Sequence, residues 1–524
     1  MKSPQKNNVL KELDLFTTII PFICILILCA FFVLLPDKSA NVLSSIRYLL
    51  GDQMGSYYLI IGFGFFVISI FIAFSRYGNI RLGDAKSPQY SSFKWGAMIF
   101  TAGLAADILF YSLCEWMLYG KESTLGEEGV MQDWVSTYPL FHFGPIPWGF
   151  FITLAVAFGF MLHVRKRSRQ KYSEACRPLL GHRVDRWPGK LIDLIAVFAL
   201  LAGTATTFSL ATPLLSMAIS KVFGFSQSTQ LTIAILLCVC CIYTISVYFG
   251  MKGIMRSATC CTYLLLVLIL YVFFFGGESR FIVENGFSSL GNMVQNFITL
   301  STWTDPLRTN SFPQNWAIFY WAYWMVWTVG TPFFIGAISK GRTIRQTILG
   351  GYFYGLAGTY SSMIVLGNYS IGLQLHKKLD VLTIYTESQD LYGSVITILE
   401  QLPFPKIVLI ILILTMVTLY STSFDSITIV ASTYSYKNLG NTKEPHKRVK
   451  LFWSIFLILL PIALIFSENS MNNLQTVSII AAFPIGIIMI LIIISFLKDA
   501  KAYLAETEEP PKLDNAEMAE ETIT

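Results

Sequence analysis

Residues Asn315–Thr343 contain the densest group of tryptophan and tyrosine side chains in the chain. Aromatic faces carry negative quadrupole charge and attract cations that cannot donate hydrogen bonds, above all quaternary ammonium groups. Tyr320, Trp324 and Trp327 are spaced i, i+4 and i+7, so they share one face of a helix. The spacing predicts a cation-binding face, with interfacial or packing aromatics as the alternative. The six rings are Trp316, Tyr320, Trp321, Tyr323, Trp324 and Trp327.

A second candidate is Asp107, which ends the stretch Thr101-Ala-Gly-Leu-Ala-Ala-Asp107 inside a predicted membrane span. A carboxylate at that depth is costly and usually marks a functional site. It could offset the charge of a cationic ligand. The alternative is that Asp107 caps a half-helix, since aspartate is favourable near a helix N-terminus.

The elements that must position these residues are membrane helices. The chain has 524 residues, of which 54% are hydrophobic and only 13% are charged, and its mean hydropathy is +0.58. This composition predicts an all-α polytopic membrane protein, with about 12 transmembrane helices of about 20 residues each. The predicted spans are 15–35, 57–75, 95–118, 139–163, 191–220, 231–250, 258–276, 314–337, 346–367, 407–435, 449–467 and 474–496.

Basic residues cluster in alternate loops, which predicts the orientation of the chain. The positive-inside rule places these loops, and with them both termini, in the cytoplasm. The net charge of +6 therefore reflects topology, and a nucleic-acid partner is not expected. The clustered residues are Arg165, Lys166, Arg167, Arg169 and Lys171, then Lys340, Arg342 and Arg345, then Lys443, Lys447, Arg448 and Lys450.

Two predicted spans contain features that permit unwinding. Small residues precede Asp107 in the third span, and Gly330-Thr331-Pro332 interrupts the eighth. Irregular backbone is tolerated in a membrane only where it lines a cavity or faces protein. The two spans are five apart, so spans three to seven and eight to twelve would form two halves with broken helices at corresponding positions. That pattern predicts a transporter with a five-plus-five inverted-repeat core and a midplane site.

Five motifs in order along the chain resemble the betaine/carnitine/choline transporter (BCCT) family. They are LFYSLCE (Leu109–Glu115), FHFGPIPW (Phe141–Trp148), GTATTFSLATP (Gly203–Pro213), FYWAYWMVW followed by ISKGRT (Ile338–Thr343), and STSFDS (Ser421–Ser426). The resemblance covers almost the whole chain. It implies the neurotransmitter:sodium symporter-like fold, two peripheral helices before the repeats, a homotrimer, and transport of trimethylammonium compounds rather than enzymatic chemistry.

The resemblance also assigns site residues. In such proteins an aromatic box from the fourth and eighth spans surrounds the ammonium group. Carried over, the box is Phe143, Trp148, Phe151 and Trp324, with Trp327 and Tyr323 nearby. Phe143 stands where a tryptophan is common, Phe151 where a tyrosine is common, and Tyr323 where a tryptophan is common. Phenylalanine offers a weaker cation–π face than tryptophan, so the ligand or its pose would differ from that of betaine-carrying relatives.

Asp107 helps to distinguish among candidate substrates that all carry a trimethylammonium group. Betaine-carrying members usually have a small residue at this position, whereas choline-carrying members resemble this chain in having aspartate. A betaine or carnitine carboxylate would be repelled by Asp107, while the hydroxyl of choline could donate to it. The expected function is therefore a secondary active importer of choline working by alternating access. The alternative is a symporter or exchanger of glycine betaine or of carnitine/γ-butyrobetaine.

The coupling ion is expected to be Na⁺ or H⁺, with no other metal or cofactor. Hydroxyl and carbonyl oxygens at a broken helix can form a cation site. The tentative ligands are Thr101 and Leu104 in the third span, Thr422 and Ser423 in the tenth, and Thr204 and Thr207 in the fifth. The competing interpretation is that these hydroxyls bond to their own helices. Proton coupling through Asp107 and sodium-independent exchange are further options.

The expected organisation is a cytoplasmic N-terminal segment (1–14), two peripheral helices (15–90), the first repeat (91–280), the second repeat with amphipathic helices (281–497), and an acidic, disordered cytoplasmic tail (498–524). The expected location is a bacterial cell membrane, with the lipid bilayer and a small quaternary ammonium substrate as partners. A channel or receptor with an aromatic cage is a hypothesis of another class, but the paired broken helices argue against a simple pore. No paired carboxylates or nucleophile–base pair suggests an enzyme.

Overall fold

The computed structural model describes residues 12–102, 105–122, 131–248, 251–439, 444–466 and 471–508. Helices account for 82% of the structure, and the described part contains only two isolated bridges and no strand. The prediction of an all-α polytopic membrane protein is therefore confirmed. Among the described residues, six helices are long and apolar enough to cross a membrane, or up to eight if each bent helix pair is one span. Of the remaining predicted spans, the eighth, ninth and eleventh are divided into shorter helices by breaks or a π-helical turn, and the sixth is the continuous helix Thr229–Tyr248.

The first two spans and the first set of five occupy residues up to Phe275. Their helices are Leu15–Leu34, Ser56–Phe74, Ser92–Ala102, Ala106–Gly120, Thr137–His142, Pro145–Gly159, Trp187–Phe223, Thr229–Tyr248 and Met251–Phe275. The second set follows as Ala317–Trp327, Thr331–Ile338, Ile344–Ser362, Asn368–Leu375, Pro405–Tyr434, Lys447–Phe456, Leu459–Phe466 and Met471–Glu508. Shorter helices connect them: Pro36–Arg47, Met131–Trp134, Tyr172–Ala175, Arg177–Leu180, Phe312–Asn315, Val381–Ser388 and Leu391–Leu399.

Burial separates the peripheral spans from the core. We compare the most apolar segment of each span. In Leu15–Leu34 only 28% of that segment is buried, and in Ser56–Phe74 44%, whereas in the fourth span, Met131–Val164, 94% is buried. The fourth span packs on both sides, against Ser56–Phe74 and against Thr331–Ile338 of the eighth. The helix that carries most of the predicted box thus lies at the centre of the molecule.

Both predicted breaks coincide with interruptions of the backbone. In the third span, Ser92–Ala102 and Ala106–Gly120 meet at an angle of 64° across 103–104. In the eighth, helix Ala317–Trp327 ends before Gly330, and Thr331–Ile338 begins with a proline at its first turn, where the missing N–H costs nothing. The two broken spans open the two sets of five, in the order that the inverted repeat requires.

An amphipathic helix, Ser279–Thr302, turns away from the seventh span by 110°. The turn occurs at Gly276 and Gly277, and Gly277 has φ +74°, a conformation that glycine adopts without steric cost. This helix precedes the eighth span in the chain. It packs along Ser56–Phe74 and Thr137–His142, so it borders the outside of the fourth span.

The last helix runs from Met471 to Glu508, so residues 498–508 of the predicted disordered tail are helical. Arg165 and Arg167, in the loop after the fourth span, stabilise this helical segment. Arg165 Nε lies 2.9 Å from Asp499 Oδ1, and Arg167 Nη2 lies 2.8 Å from Asp499 Oδ2. Arg165 also pairs with Glu506 at 2.7 Å, so the acidic residues of this segment are held along the basic loop. Residues 1–11 and 509–524 of the two predicted terminal segments lie outside the described residues.

Candidate functional site

Four aromatic side chains from the fourth and eighth spans come together around Trp324. The ring of Trp324 lies 5.9 Å from Phe143, 6.2 Å from Trp148 and 5.0 Å from Phe151, measured between centroids. Each of the four is at most 4% exposed. We call Phe143, Trp148, Phe151 and Trp324 the aromatic box. Its rings contact one another with tilted or edge-to-face geometry, so the four side chains form one aromatic cluster.

A break in the fourth span makes this convergence possible. Helix Thr137–His142 ends at Phe143, Gly144 follows, and Pro145 opens the next helix. Trp148 and Phe151 are three residues apart on that helix and so share a face. Without the break, Phe143 would continue the register of the first helix. The turn is supported by the ninth span, where the Thr359 hydroxyl donates to the Phe143 carbonyl at 2.9 Å.

The ninth span also fixes the position of Trp148. Helix Ile344–Ser362 begins with a capping box between Thr343 and Gln346 and presents Gly355 to the indole ring. A Cβ at Gly355 would lie 2.5 Å from Trp148 Cε3, which is far inside van der Waals contact. A glycine is therefore required here for the close approach of this helix to the box.

Asp107 lies in the first turn of helix Ala106–Gly120 and is 2% exposed. Its Oδ2 accepts a hydrogen bond from the Tyr323 hydroxyl, which also contacts Thr207 Oγ1. Asp107 Oδ1 is buried and has no hydrogen-bond partner in the described structure. Asp107 therefore lies at the N-terminus of the half-helix, where a carboxylate is favourable, and still has one oxygen free to accept a hydrogen bond. It can cap the half-helix and contact a ligand at the same time.

Tyr323 and Trp327 do not lie in the box wall. The Tyr323 ring stacks on Phe319 at 5.6 Å, and its hydroxyl positions Asp107. Trp327 lies against the fifth span, since a Cβ added at Gly203 would lie 3.4 Å from its Nε1. Trp327 is the last residue of helix Ala317–Trp327, so Tyr320, Trp324 and Trp327 all lie on one helix, as the i, i+4, i+7 spacing requires.

Two tyrosines border the box: Tyr320, which the spacing placed on the predicted cation-binding face, and Tyr111, which the sequence analysis did not place in the site. Tyr320 lies 5.1 Å from Phe143 and 5.4 Å from Tyr111, again between ring centroids. Tyr111 is 6.1 Å from Phe143. The signal for both was helical spacing, since Tyr320 is at i−4 from Trp324 and Tyr111 at i+4 from Asp107.

Tyr172, which follows the basic loop, packs at the break of the eighth span. It is fully buried, and its hydroxyl donates to Thr328 Oγ1 at 2.9 Å. Its ring lies 5.5 Å from Phe158 and 6.2 Å from Phe333, so it joins the fourth span to the second half of the eighth.

Three of the tentative sodium ligands form hydrogen bonds within their own helices. The hydroxyls of Thr101, Thr204 and Thr422 each donate to the backbone carbonyl four residues earlier, at 3.1, 2.6 and 3.1 Å respectively. Thr207 contacts Tyr323 instead. Ser423 follows Thr422 on helix Pro405–Tyr434 and is half-buried. Leu104 lies outside the described residues, and no group of three or more metal-ligating side chains occurs within the described ranges.

A sequence model of the BCCT (betaine/carnitine/choline) family transporters matches residues 16–505. The chain belongs to this family. It is therefore a membrane transporter of the betaine/carnitine/choline class, and the resemblance drawn from the five motifs is confirmed.

Several characterised or named proteins are similar over most of their length. A carnitine transporter of Acinetobacter baumannii is 27% identical, over 83% of this chain and 79% of its own. A probable glycine betaine transporter of Desulfitobacterium hafniense is 30% identical (89% and 93%), and the glycine betaine transporter OpuD of Bacillus subtilis is 29% identical (92% and 93%). A solved Na⁺-coupled sialic acid symporter covers 83% of this chain and 86% of its own, with 11% identity and a TM-score of 0.45.

Proposed function

We propose that this BCCT-family transporter imports choline through the aromatic box by alternating access, as a secondary active transporter of a bacterial plasma membrane. The observation that carries the proposal is the unpaired, buried Oδ1 of Asp107, beside a box of four converging rings. The box supplies a cation–π site for a trimethylammonium group but cannot distinguish choline from betaine. The discrimination must therefore come from the group that meets the other end of the ligand.

Asp107 supports choline on electrostatic grounds. Within the described residues, no Lys or Arg pairs with it, and its polar contacts are hydroxyls and backbone amides. A buried carboxylate without a cation is costly, and a cationic ligand that also donates a hydroxyl would offset that cost. A betaine or carnitine carboxylate would instead add a second negative charge within a few ångströms.

The alternative within the family is a betaine or carnitine carrier. It is favoured by the named relatives, which are carnitine and glycine betaine transporters. The test is uptake of labelled choline, glycine betaine and carnitine into proteoliposomes, with imposed sodium and proton gradients applied separately. Accumulation of choline above equilibrium, with little betaine uptake, is the expected result. Preferential uptake of betaine or carnitine would contradict the choline assignment.

The coupling ion and the oligomeric state belong to the same proposal. We expect an imposed gradient of Na⁺ or H⁺ to drive accumulation, with Thr422 and Ser423 as the sodium ligands if sodium is the driving ion. We expect a homotrimer, which mass measurement of the detergent-solubilised protein would test. An apolar groove of about 850 Å³ between Ser56–Phe74 and the end of Ser279–Thr302 supplies an exposed surface suited to lipid or to another subunit.

A further inference from the structure

A buried cluster of ionisable side chains lies outside the aromatic box, where the third span meets the fourth. Glu115 is 1% exposed and His142 is fully buried. The Tyr119 hydroxyl donates to Glu115 Oε1 and lies 2.7 Å from His142 Nδ1. His142 Nδ1 is also 3.3 Å from Glu115 Oε1. Glu115, Tyr119 and His142 therefore form one hydrogen-bonded group, which we call the Glu–His cluster.

This cluster has two atoms that could carry an additional proton. Glu115 Oε2 and His142 Nε2 are both buried, and neither has a hydrogen-bond partner in the described part of the chain. The Tyr119 hydroxyl has only one proton to donate, so His142 Nδ1 must itself be protonated to contribute a hydrogen bond to the group. An extra proton can then reside on Glu115 Oε2 or on His142 Nε2.

Among the described residues, the neighbours of the cluster supply no positive charge. The titratable groups that face it are tyrosines and one thiol, and His142 is the only basic side chain that pairs with Glu115 among the described residues. Asp107 lies two helical turns away, about 12 Å along the same helix, and would only add negative charge. The facing groups are Tyr111, Cys114 and Tyr119 from the third span, Tyr138 from the fourth, Tyr320 from the eighth, and Tyr392 beyond Phe110.

The buried cluster is therefore expected to hold one proton more than the pair Glu⁻/His⁰. An isolated buried carboxylate costs several kcal/mol, whereas a neutral acid beside neutral imidazole, or a carboxylate beside imidazolium, has no net charge. Both of these states carry the same single extra proton. Water that reached the cluster would remove the penalty, so an open state would exchange that proton with water.

The cluster is mechanically connected to the aromatic box. The His142 ring stacks on Tyr320 at 4.7 Å with an interplanar angle of 24°. Tyr320 is one helical turn before Trp324, and the residue after His142 is Phe143, a wall of the box. A movement that separates His142 from Tyr320 would therefore also shift the two elements that carry Phe143 and Trp324.

We propose that Glu115, His142 and Tyr119 form a proton-binding site, distinct from the aromatic box, that must be loaded for the helices to close over the substrate. The proton comes from water in the open state, resides on Glu115 Oε2 or His142 Nε2 in the closed state, and returns to water when the cluster is next wetted. This inference rests on the proposed function only in assuming that a quaternary ammonium substrate binds in the box.

Calorimetric titration of the purified protein with choline, in two buffers of different ionisation enthalpy, counts the protons exchanged on binding. Between pH 6 and 8.5, wild type should take up about one proton more per bound choline than Glu115→Gln, at the alkaline end of that range. The matched control is Glu284→Gln on the exposed amphipathic helix, which should give the wild-type count. Equal proton counts in wild type and Glu115→Gln would overturn the proposal. If Glu115→Gln does not fold, Glu115→Ala, which also removes the carboxyl group, is expected to give the same difference.

A ligand-free measurement separates this proposal from the choline assignment. The pH dependence of the apparent Tm should differ between wild type and Glu115→Gln, because a site that binds a proton in the folded protein links stability to pH. Glu115→Gln should lack this component, and Glu284→Gln should retain it. Identical pH dependence in wild type and Glu115→Gln would overturn the proton site. If this difference appears but no quaternary ammonium compound binds, the proposed function fails and the proton site does not.

Discussion

At the scale of single residues, Trp324 is the side chain on which the box depends, because its ring contacts each of the other three. Trp324→Ala should weaken choline binding by at least roughly 1–2 kcal/mol, since the site is desolvated. Titration of the purified protein with choline measures this. Trp187→Ala is the matched control, because Trp187 is 66% exposed and remote from the box, and it should leave the affinity unchanged. Unaltered affinity in folded Trp324→Ala would rule out the box as the ammonium site.

Asp107 supplies the second prediction at this scale. Asp107→Asn removes the charge at nearly constant shape and should weaken choline binding by about 1.5–3 kcal/mol, the range for a hydrogen bond to a charged group. Asp107→Gly should lose the preference for choline over betaine and could gain betaine binding. Tyr323→Phe, which removes one donor to Asp107 but no charge, is the control and should retain the preference. If Asp107→Asn binds choline as wild type does and still rejects betaine, Asp107 is a helix cap only.

At the scale of elements, the ninth span sets the geometry of the box through a close helix contact. Gly355→Ala places a methyl group against Trp148 and should displace the indole, with an overpacking cost of about 1–3 kcal/mol and weaker choline binding. Gly64→Ala is the matched control, because nothing lies within 4 Å of its added Cβ. Binding curves and apparent Tm values for the two variants test this prediction. Equal affinities in the two variants would show that the box tolerates a shifted Trp148.

A second prediction at this scale concerns the tenth span facing the break in the third. If the transporter is sodium-coupled, replacing Thr422 and Ser423 together by alanine should abolish sodium stimulation of choline uptake while leaving sodium-independent binding. Thr422 donates to carbonyls of its own helix, so ion binding would require its hydroxyl to reorient. Thr418→Ala, one turn earlier on the same helix, is the control. Sodium stimulation that survives the double substitution would remove these residues from the ion site.

At the scale of the whole molecule, the charge distribution predicts the orientation in the membrane. The basic loop after the fourth span should be cytoplasmic, and the segment before the eighth span should face outward. In a background without reactive native cysteines, Leu307→Cys should react with an impermeant thiol reagent in intact cells, since Leu307 is 86% exposed. Ser168→Cys should react only after permeabilisation. The reverse labelling pattern would invert the topology and the direction of transport assigned here.

The sequence by itself determined the class of protein, the broken spans and the membership of the box. Composition fixes an all-helical membrane protein because an apolar chain can satisfy its backbone in a bilayer only by forming helices or a closed barrel. Small residues and proline mark the breaks because they permit unwinding. Phe143, Trp148, Phe151 and Trp324 were identified from motifs, and the spacing of Trp148 and Phe151 gives them a common face.

Only the tertiary structure decided which neighbours each of these residues meets. Tyr323 and Trp327 are close to Trp324 in sequence, yet one holds Asp107 and the other lies against the fifth span. Residues 498–508 are helical because Arg165 and Arg167, more than three hundred residues earlier, pair with their acidic side chains. The Glu–His cluster joins the third and fourth spans, and its tie to the box is a stack between the fourth and the eighth. Periodicity reports the face of one helix, but contacts between distant helices depend on how those faces are packed together.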